Sequence, residues 1–471
     1  MGRFLLVALA VCAGLLLACG SRTGLFSTVG ADSGSFPGDS GVGSYPDAIA
    51  DSASEPIEPF DVNPGGGQVC ARDTPAGTVI WKTTLVTDRY LVGPMAADPS
   101  GATYYVDDGF LFGGVVDGGS TIMSLDPCGN PRWRTPWNHF YNDSVTTHLM
   151  VSGSRLIAVN GDVRAFDLST GDELWTADLV TWAREQGLGD VSGSDSIMAP
   201  VVTADGTVYL TAYTTSQTWL LSIDMTGAPS LVAPVPGTTD GGFATDLIVD
   251  NVGNLDVPVV FTNVSPGPGE IVSFGPDGGV QWEAQLPQLG YQDHLMSGAT
   301  SLLNEDTAGL FGFGGTIVGQ LQAQFSKPAV VDSQGDFFAI SAASSAAITA
   351  GSWAPDGTPR WSTNITSGGF YGYNGGPLLG DGSHVFYLSQ LYDGTTETAS
   401  VESLEQASGA LVTWAFADRS PGYMLLTPAG ELVFTMGTYA IALSSGGELP
   451  ADTVWPTPRG GVDQRGVARG Q

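Results

Sequence analysis

A glycine stands four residues before a tryptophan at Gly77/Trp81, Gly129/Trp133, Gly171/Trp175, Gly278/Trp282 and Gly357/Trp361, and a looser copy occurs at Gly409/Trp414. Recurrence at roughly 40 to 55 residues marks a repeat architecture, in which each unit buries its apolar face only by stacking on its neighbours. One repeat is clearest at 200–231, where Val201, Val202, Val208, Tyr209 and Leu210 flank the turn Ala204-Asp205-Gly206-Thr207. Two β-rich runs around an Asp-Gly turn read as a hairpin. Equivalent hairpins fall around Pro99-Ser100-Gly101, Gly153-Ser154, Asp250 to Gly253, Ser333-Gln334-Gly335, Gly380-Asp381-Gly382 and Pro428-Ala429-Gly430. A third strand, a glycine turn and the tryptophan strand follow each of them. The expected fold is all-β, a β-propeller of four-stranded blades.

The best copy of the second half of the repeat is Ala165-Phe166-Asp167-Leu168-Ser169-Thr170-Gly171-Asp172-Glu173-Leu174-Trp175. It resembles the tryptophan-docking motif of quinoprotein-type (PQQ-like) β-propellers, Ala-x-Asp-x-x-Thr-Gly-x-x-x-Trp, at every defined position. Other copies are degenerate. Ser124-Leu125-Asp126 to Trp133 is one residue short in the turn, Ser222-Ile223-Asp224 to Leu231 puts leucine in place of tryptophan, and Ser403-Leu404-Glu405 to Trp414 is one residue long. The resemblance covers nearly all of the chain after Cys70 and implies blade architecture, not cofactor use. Physically, the turn glycine tolerates positive φ and the indole can lie flat between blades. Trp81, Trp133, Trp175, Trp282, Trp361 and Trp414 are therefore assigned a structural, blade-docking role in the core.

Intervals between these tryptophans are 52 and 42 residues, then 107, 79 and 53. The 107-residue interval holds two blades, with Leu231 between them. The 79-residue interval is too long for one. It contains either an insertion across Pro287 to Ser326 or a degenerate blade at Ser301 to Gly315, where Leu302-Leu303 and Leu310-Phe311 could form a further hairpin. Seven blades is the favoured count and eight the alternative. Thr78 to Leu85 has no hairpin before it, and is expected to complete the last blade, contributed by Tyr423 to Leu443, which removes an exposed sheet edge.

The first residues, Met1-Gly2-Arg3 and then the apolar run Phe4 to Ala18, have signal-peptide form. The run ends in Leu16-Leu17-Ala18-Cys19-Gly20, which resembles a bacterial lipobox and implies a lipid anchor on Cys19. Gly20 in place of Asp after that cysteine implies, by the same resemblance, the outer membrane, with the domain facing periplasm or medium. The expected organisation is a signal peptide over 1–18, an anchored Gly/Ser/Asp/Pro tether over 19–69, the propeller over 70–458 and a flexible tail over 459–471. No Lys or Arg lies between Arg22 and Arg72, and a tether of that composition reaches roughly 40 Å from its anchor. Gly38-Asp39-Ser40-Gly41 matches a serine-protease motif in letters only, with no histidine upstream.

Cys12 falls in the signal and Cys19 at the anchor, leaving Cys70 and Cys128 as an exported pair suited to a disulfide. Net charge is −32, and becomes −33 without residues 1–18, whose one charge is Arg3; Lys82 and Lys327 are the only lysines. Such a balance excludes nucleic acid as a partner. It attracts cations or basic partners, or serves solubility.

Catalytic constellations are lacking in the sequence. Quinoprotein dehydrogenases carry an adjacent-cysteine disulfide and defined calcium ligands, and this chain has no Cys-Cys pair, so PQQ is not expected. The acidic loop with Asp246, Asp250, Asn254 and Asp256 faintly resembles the calcium loops of integrin-type propellers and offers spaced oxygens, although the same residues suit a simple hairpin turn. His139, Asp143 and His148 cluster in sequence without a nucleophile. The expected function is a non-catalytic protein-binding or scaffolding module of the cell envelope, analogous to the lipoprotein propeller of the β-barrel assembly machinery. An exported enzyme, quinoprotein or metal-dependent, and surface carbohydrate recognition are the alternatives.

Overall fold

The computed structural model describes residues 74–451, apart from short stretches of which 86–94, 138–147, 192–199 and 321–328 are the longest. Among the described residues, eight antiparallel sheets are built on the four-stranded plan. Blades 1 to 7 span 95–137, 148–177, 201–234, 243–289, 295–320, 330–366 and 369–417. Blade 8 joins 421–444 to the strand Val79–Thr84. Blades 4 and 7 have five strands because the innermost one is split: Phe243–Ala244 and Ile248–Val249 both pair with Leu255–Val260, and Gly369–Phe370 and Leu378–Leu379 with His384–Tyr392.

Of the two counts that the tryptophan intervals left open, the sheets number eight. Blade 5 occupies the long interval, with Leu302 opposite Phe311 and Leu303 opposite Leu310. Its outermost strand, Ile317–Gln320, carries no tryptophan, so a count paced by tryptophan steps over it.

Five of the inner hairpins share one turn chemistry. In blade 1 the Asp98 N–H donates to the Ala102 carbonyl and the Gly101 N–H to the Asp98 carbonyl, while Asp98 Oδ1 accepts from the N–H groups of Ser100 and Ala102. The same backbone pair recurs at 203–207, 250–254, 332–336 and 427–431. A short turn closed by a positive-φ glycine is the G1-bulge hairpin, and here Asp98, Asp250 and Asp332 at the first position accept from the turn's own N–H groups.

Inner strands such as Arg155–Asn160, Leu255–Val260 and Glu431–Met436 are buried at nearly every position, so both faces of the sheet are covered. Blades 1 and 2 share the core of Tyr104, Ile122, Trp137, Leu149, Leu156 and Phe166. Further shared cores join blades 2 and 3, 3 and 4, 6 and 7, 7 and 8, and 8 and 1. The last of these closes the ring. Val79–Thr84 runs antiparallel to Tyr439–Ser444, with Trp81 opposite Ala442 and Thr84 opposite Tyr439. One end of the chain thus supplies the outermost strand of a blade made by the other end, as the sequence led us to expect.

A short helix, Leu179–Glu185, follows blade 2. Asp178 caps it by accepting from the Thr181 N–H at 2.9 Å, a bond that also holds the Asp178 carboxyl below its ordinary value. Leu179 and Ala183 are buried, and Trp182 packs on the core shared by blades 2 and 3.

Candidate functional site

All six tryptophans named from the spacing stand on the outermost strand of their blades. The glycine four residues earlier is not the partner of its own tryptophan. Gly129 lies under Trp81, Gly171 under Trp133, Gly227 under Trp175, Gly315 under Trp282, Gly409 under Trp361 and Gly77 under Trp414. Each repeat therefore contributes halves of two junctions, a glycine that receives the preceding blade and a tryptophan that covers the next. These glycines have φ between +69° and +85°, and a Cβ on any of them would come within 2.5–2.8 Å of the indole. Both conformation and space exclude a side chain there.

Hydrogen bonds fix the docking. The indole N–H of Trp81 donates to Pro127 O at 3.1 Å, that of Trp133 to Leu168 O at 2.9 Å, that of Trp175 to Met225 O at 3.0 Å and that of Trp361 to Gln406 O at 2.6 Å. Two residues further on, Thr83, Thr135 and Thr363 donate to the carbonyls of Gly129, Gly171 and Gly409 at 2.6–2.7 Å. Trp282 differs, since its buried Nε1 finds no acceptor. The rings are less deeply buried than a core role implies. Trp133 is 7% exposed, but the other five are of intermediate burial.

A β-bulge immediately before the tryptophan turns the ring toward the next blade in blades 1, 2, 4, 6 and 8. Blade 7 has one extra residue after its glycine, and its strand Leu411–Ala417 pairs without any bulge. In blade 3 the irregularity falls two residues late, between Leu231 and Ala233. Leu231 consequently faces solvent at 45% exposure, and Val232 covers Gly278 instead. The expectation that Leu231 stands in for tryptophan is corrected: the bulge comes after Leu231, and the docking passes to the next residue.

At the closing junction Glu431 is buried on the strand Glu431–Met436, without a hydrogen-bonded oxygen. Burial pushes its carboxyl up to about 7; the Trp81 indole opposes that shift and Asp126 adds to it. Cys128, in the turn that receives Trp81, is disulfide-bonded. Its expected partner Cys70 lies outside the described residues, as do Cys19, His139 and Asp143.

A second fastening, unannounced by any motif, joins blade 8 to blade 7. After the last strand the chain crosses to the inner turn of blade 7, where Glu448 accepts from the Ser383 N–H at 3.2 Å and contacts His384 Nδ1 at 2.8 Å. Asp381 N–H donates to Leu449 O and Ala451 N–H to Leu379 O. Ser383, His384 and Glu448 have the composition of a hydrolase triad but not its geometry. The Ser383 hydroxyl sits 3.1 Å from the same Nδ1 that faces Glu448, whereas a relay needs the serine on one ring nitrogen and the acid on the other.

In the acidic loop, Asp250 Oδ1 accepts from the N–H groups of Val252 and Asn254 and its Oδ2 from Asn254 Nδ2 at 3.0 Å. Both oxygens are thus committed to the hairpin turn. Asp256 is fully buried on the next strand; burial and then Asp250 drive its carboxyl well above the ordinary range, with Ser273 opposing. Asp246 lies outside the described residues. Among the described residues no three His, Cys, Asp or Glu side chains converge as metal ligands. His148 begins the innermost strand of blade 2.

A family model described as outer membrane protein assembly factor BamB matches residues 40–249. The chain carries a β-propeller domain. No curated protein matches it. Among solved structures, the computationally designed Ika8 protein is similar over 77% of this chain and 98% of its own length, at 12% identity and a TM-score of 0.51. The C-terminal WD40 domain of Sif2 is similar over 77% and 97%, at 9% identity and a TM-score of 0.50. BamB from Moraxella catarrhalis aligns over 75% and 84%, at 14% identity and a TM-score of 0.33. At these identities the likeness to Ika8 and to the Sif2 domain shows the propeller fold alone. No helix among the described residues is long and apolar enough to cross a membrane.

Proposed function

We propose that this chain is a non-catalytic protein-binding scaffold of the bacterial cell envelope, held by a lipid on Cys19 to the outer membrane and facing periplasm or medium. The observation that carries the reading is the match of residues 40–249 to the BamB assembly-factor model, taken with the lipobox-like Leu16-Leu17-Ala18-Cys19. The repeated tryptophans, glycines and turn aspartates are engaged in holding blades together, which leaves loop and edge surface for partners. A bridge from Cys128 to Cys70 would tie the chain entering the ring to blade 1.

Chemical crosslinking of the intact protein in its own membranes, followed by capture and mass spectrometry, tests the proposal. Recovery of β-barrel proteins or another envelope complex is expected, and Cys19→Ala should release the protein from the membrane fraction. Tight binding of pyrroloquinoline quinone with dye-linked alcohol oxidation would overturn the scaffold reading in favour of an exported enzyme.

A further inference from the structure

Outermost strands of a propeller present an unpaired edge to solvent, and such edges are ordinarily blunted by bulges, prolines or charges. Among the described residues, seven of the eight outermost strands follow that rule. Every one of the seven carries a register irregularity. Six of them add proline or charge: Lys82 on Val79–Thr84; Pro131, Arg132, Arg134 and Pro136 on Pro131–Trp137; Glu173 on Glu173–Ala177; Pro229 and Pro234 on Pro229–Pro234; Glu283 and Pro287 on Val280–Leu289; Pro359 and Arg360 on Pro359–Thr366. The seventh, Ile317–Gln320, is only four residues long.

The exception is blade 7. Its outermost strand, Leu411–Ala417, reads Leu-Val-Thr-Trp-Ala-Phe-Ala, with no proline and no charge, and pairs with Glu397–Glu405 over seven consecutive positions in unbroken register. Val412 is 55% exposed, and no described strand pairs beyond it. The first side of the strand is held firmly, with Thr413 Oγ1 donating to buried Glu402 and Trp414 packed over Gly77.

We propose that the outer edge of Leu411–Ala417 is a docking site for an extended basic segment of a different protein, which adds a fifth strand to blade 7. Strand addition to a flat, regular edge draws affinity from main-chain hydrogen bonds and specificity from alternate side chains. Charge decides the occupant. A second copy would bring another net −32 to an edge whose neighbouring strand ends in exposed Glu405, whereas a segment bearing Lys or Arg is drawn in. This inference rests on the scaffold reading and names its contact surface.

The test uses the full chain and a synthetic peptide, acetyl-Lys-Val-Thr-Val-Thr-Val-Lys-amide, with a second peptide carrying proline at its centre as a non-strand control. Binding is read by fluorescence anisotropy and by amide hydrogen exchange. The expected result is protection confined to 411–417, absent with the proline peptide, and affinity reduced at least tenfold by Val412→Lys. Val280→Lys, at a comparably exposed apolar position on a bulged edge, should bind as wild type does, and melting curves establish that both variants fold. Absence of protection at 411–417, equal binding by Val412→Lys, or a dimer that protects 411–417 without peptide would overturn the proposal. Crosslinking from membranes separates the two readings: an envelope complex captured equally by wild type and Val412→Lys removes the edge but keeps the scaffold, and capture of no envelope protein by wild type removes both.

Discussion

Trp81, on the strand that enters the ring, rests on Gly129 of blade 1, where a Cβ would come within 2.5 Å of the indole. Thr83 strengthens the same contact by donating to the Gly129 carbonyl at 2.6 Å. The junction that closes the propeller thus repeats the geometry used between its other blades.

Replacing Gly129 by alanine should therefore displace the indole and strain a residue at φ +76°. A loss of about 2–4 kcal/mol is expected, from conformational strain plus disturbed packing. Gly153, also at positive φ, has nothing within 4 Å of a built Cβ. Gly153→Ala should cost only the conformational part, about 1 kcal/mol. Urea unfolding of the two variants checks the difference, and equal losses would mean that the indole contact contributes nothing.

The two kinds of tryptophan separate hydrogen bonding from ring packing. Trp361 donates to Gln406 O at 2.6 Å, whereas the buried Trp282 Nε1 has no acceptor. Trp361→Phe should lose about 1 kcal/mol beyond the change in packing, while Trp282→Phe removes an unsatisfied donor and should be close to neutral. Thermal unfolding of the pair decides this, and a larger loss at Trp282 would contradict the geometry.

Much of this array was legible in the sequence because its parts are local. Gly171 and Trp175 lie four residues apart, and the Asp205-Gly206 turn announces its own hairpin. What the spacing could not convey is that Gly171 serves Trp133 and Trp175 serves Gly227, since partners across a blade junction are 33 or more residues apart. The place of Leu231 was not legible for a related reason: the bulge comes two residues later than in the other blades, so Leu231 keeps the register that precedes it, one residue out of step and on the other face, and the docking passes to Val232. Blade 5 was ambiguous because it lacks the tryptophan that paces the others. The fastening by Glu448 leaves no periodic trace, as it depends on a turn more than sixty residues away.

Stability should fall as pH rises through the range in which Glu431 loses its proton. Its folded value of about 7 lies above the ordinary 4.5, so the folded state binds the proton more tightly. The favourable term is fully present below about 4.5 and gone above about 7, a change on the order of 3 kcal/mol. Buried Asp256 and Glu270, also shifted upward, act with the same sign. Glu431→Gln should flatten the dependence between pH 5 and 7 and stabilise the protein at pH 8. Chemical denaturation across that range tests it, and an unchanged slope in the variant would assign the effect elsewhere.

The ring is fastened twice at blade 8, and the two fastenings should fail differently. Deleting residues 70–85 removes the strand that covers Tyr439–Ser444 and with it the Trp81 docking. The bared edge is then free to pair between molecules, so concentration-dependent aggregation in light scattering is the expected outcome. Glu448→Ala leaves every strand in place but strips the Ser383 N–H and His384 of their acceptor. A loss of about 1 kcal/mol without aggregation follows from one half-buried charge-assisted contact. Faster amide exchange should be confined to the inner turn at 380–384 and the segment 445–451. A soluble, fully stable deletion would mean that the entering strand is dispensable, and unchanged exchange in Glu448→Ala would mean that the carboxylate contributes nothing to holding the carboxy-terminal segment on blade 7.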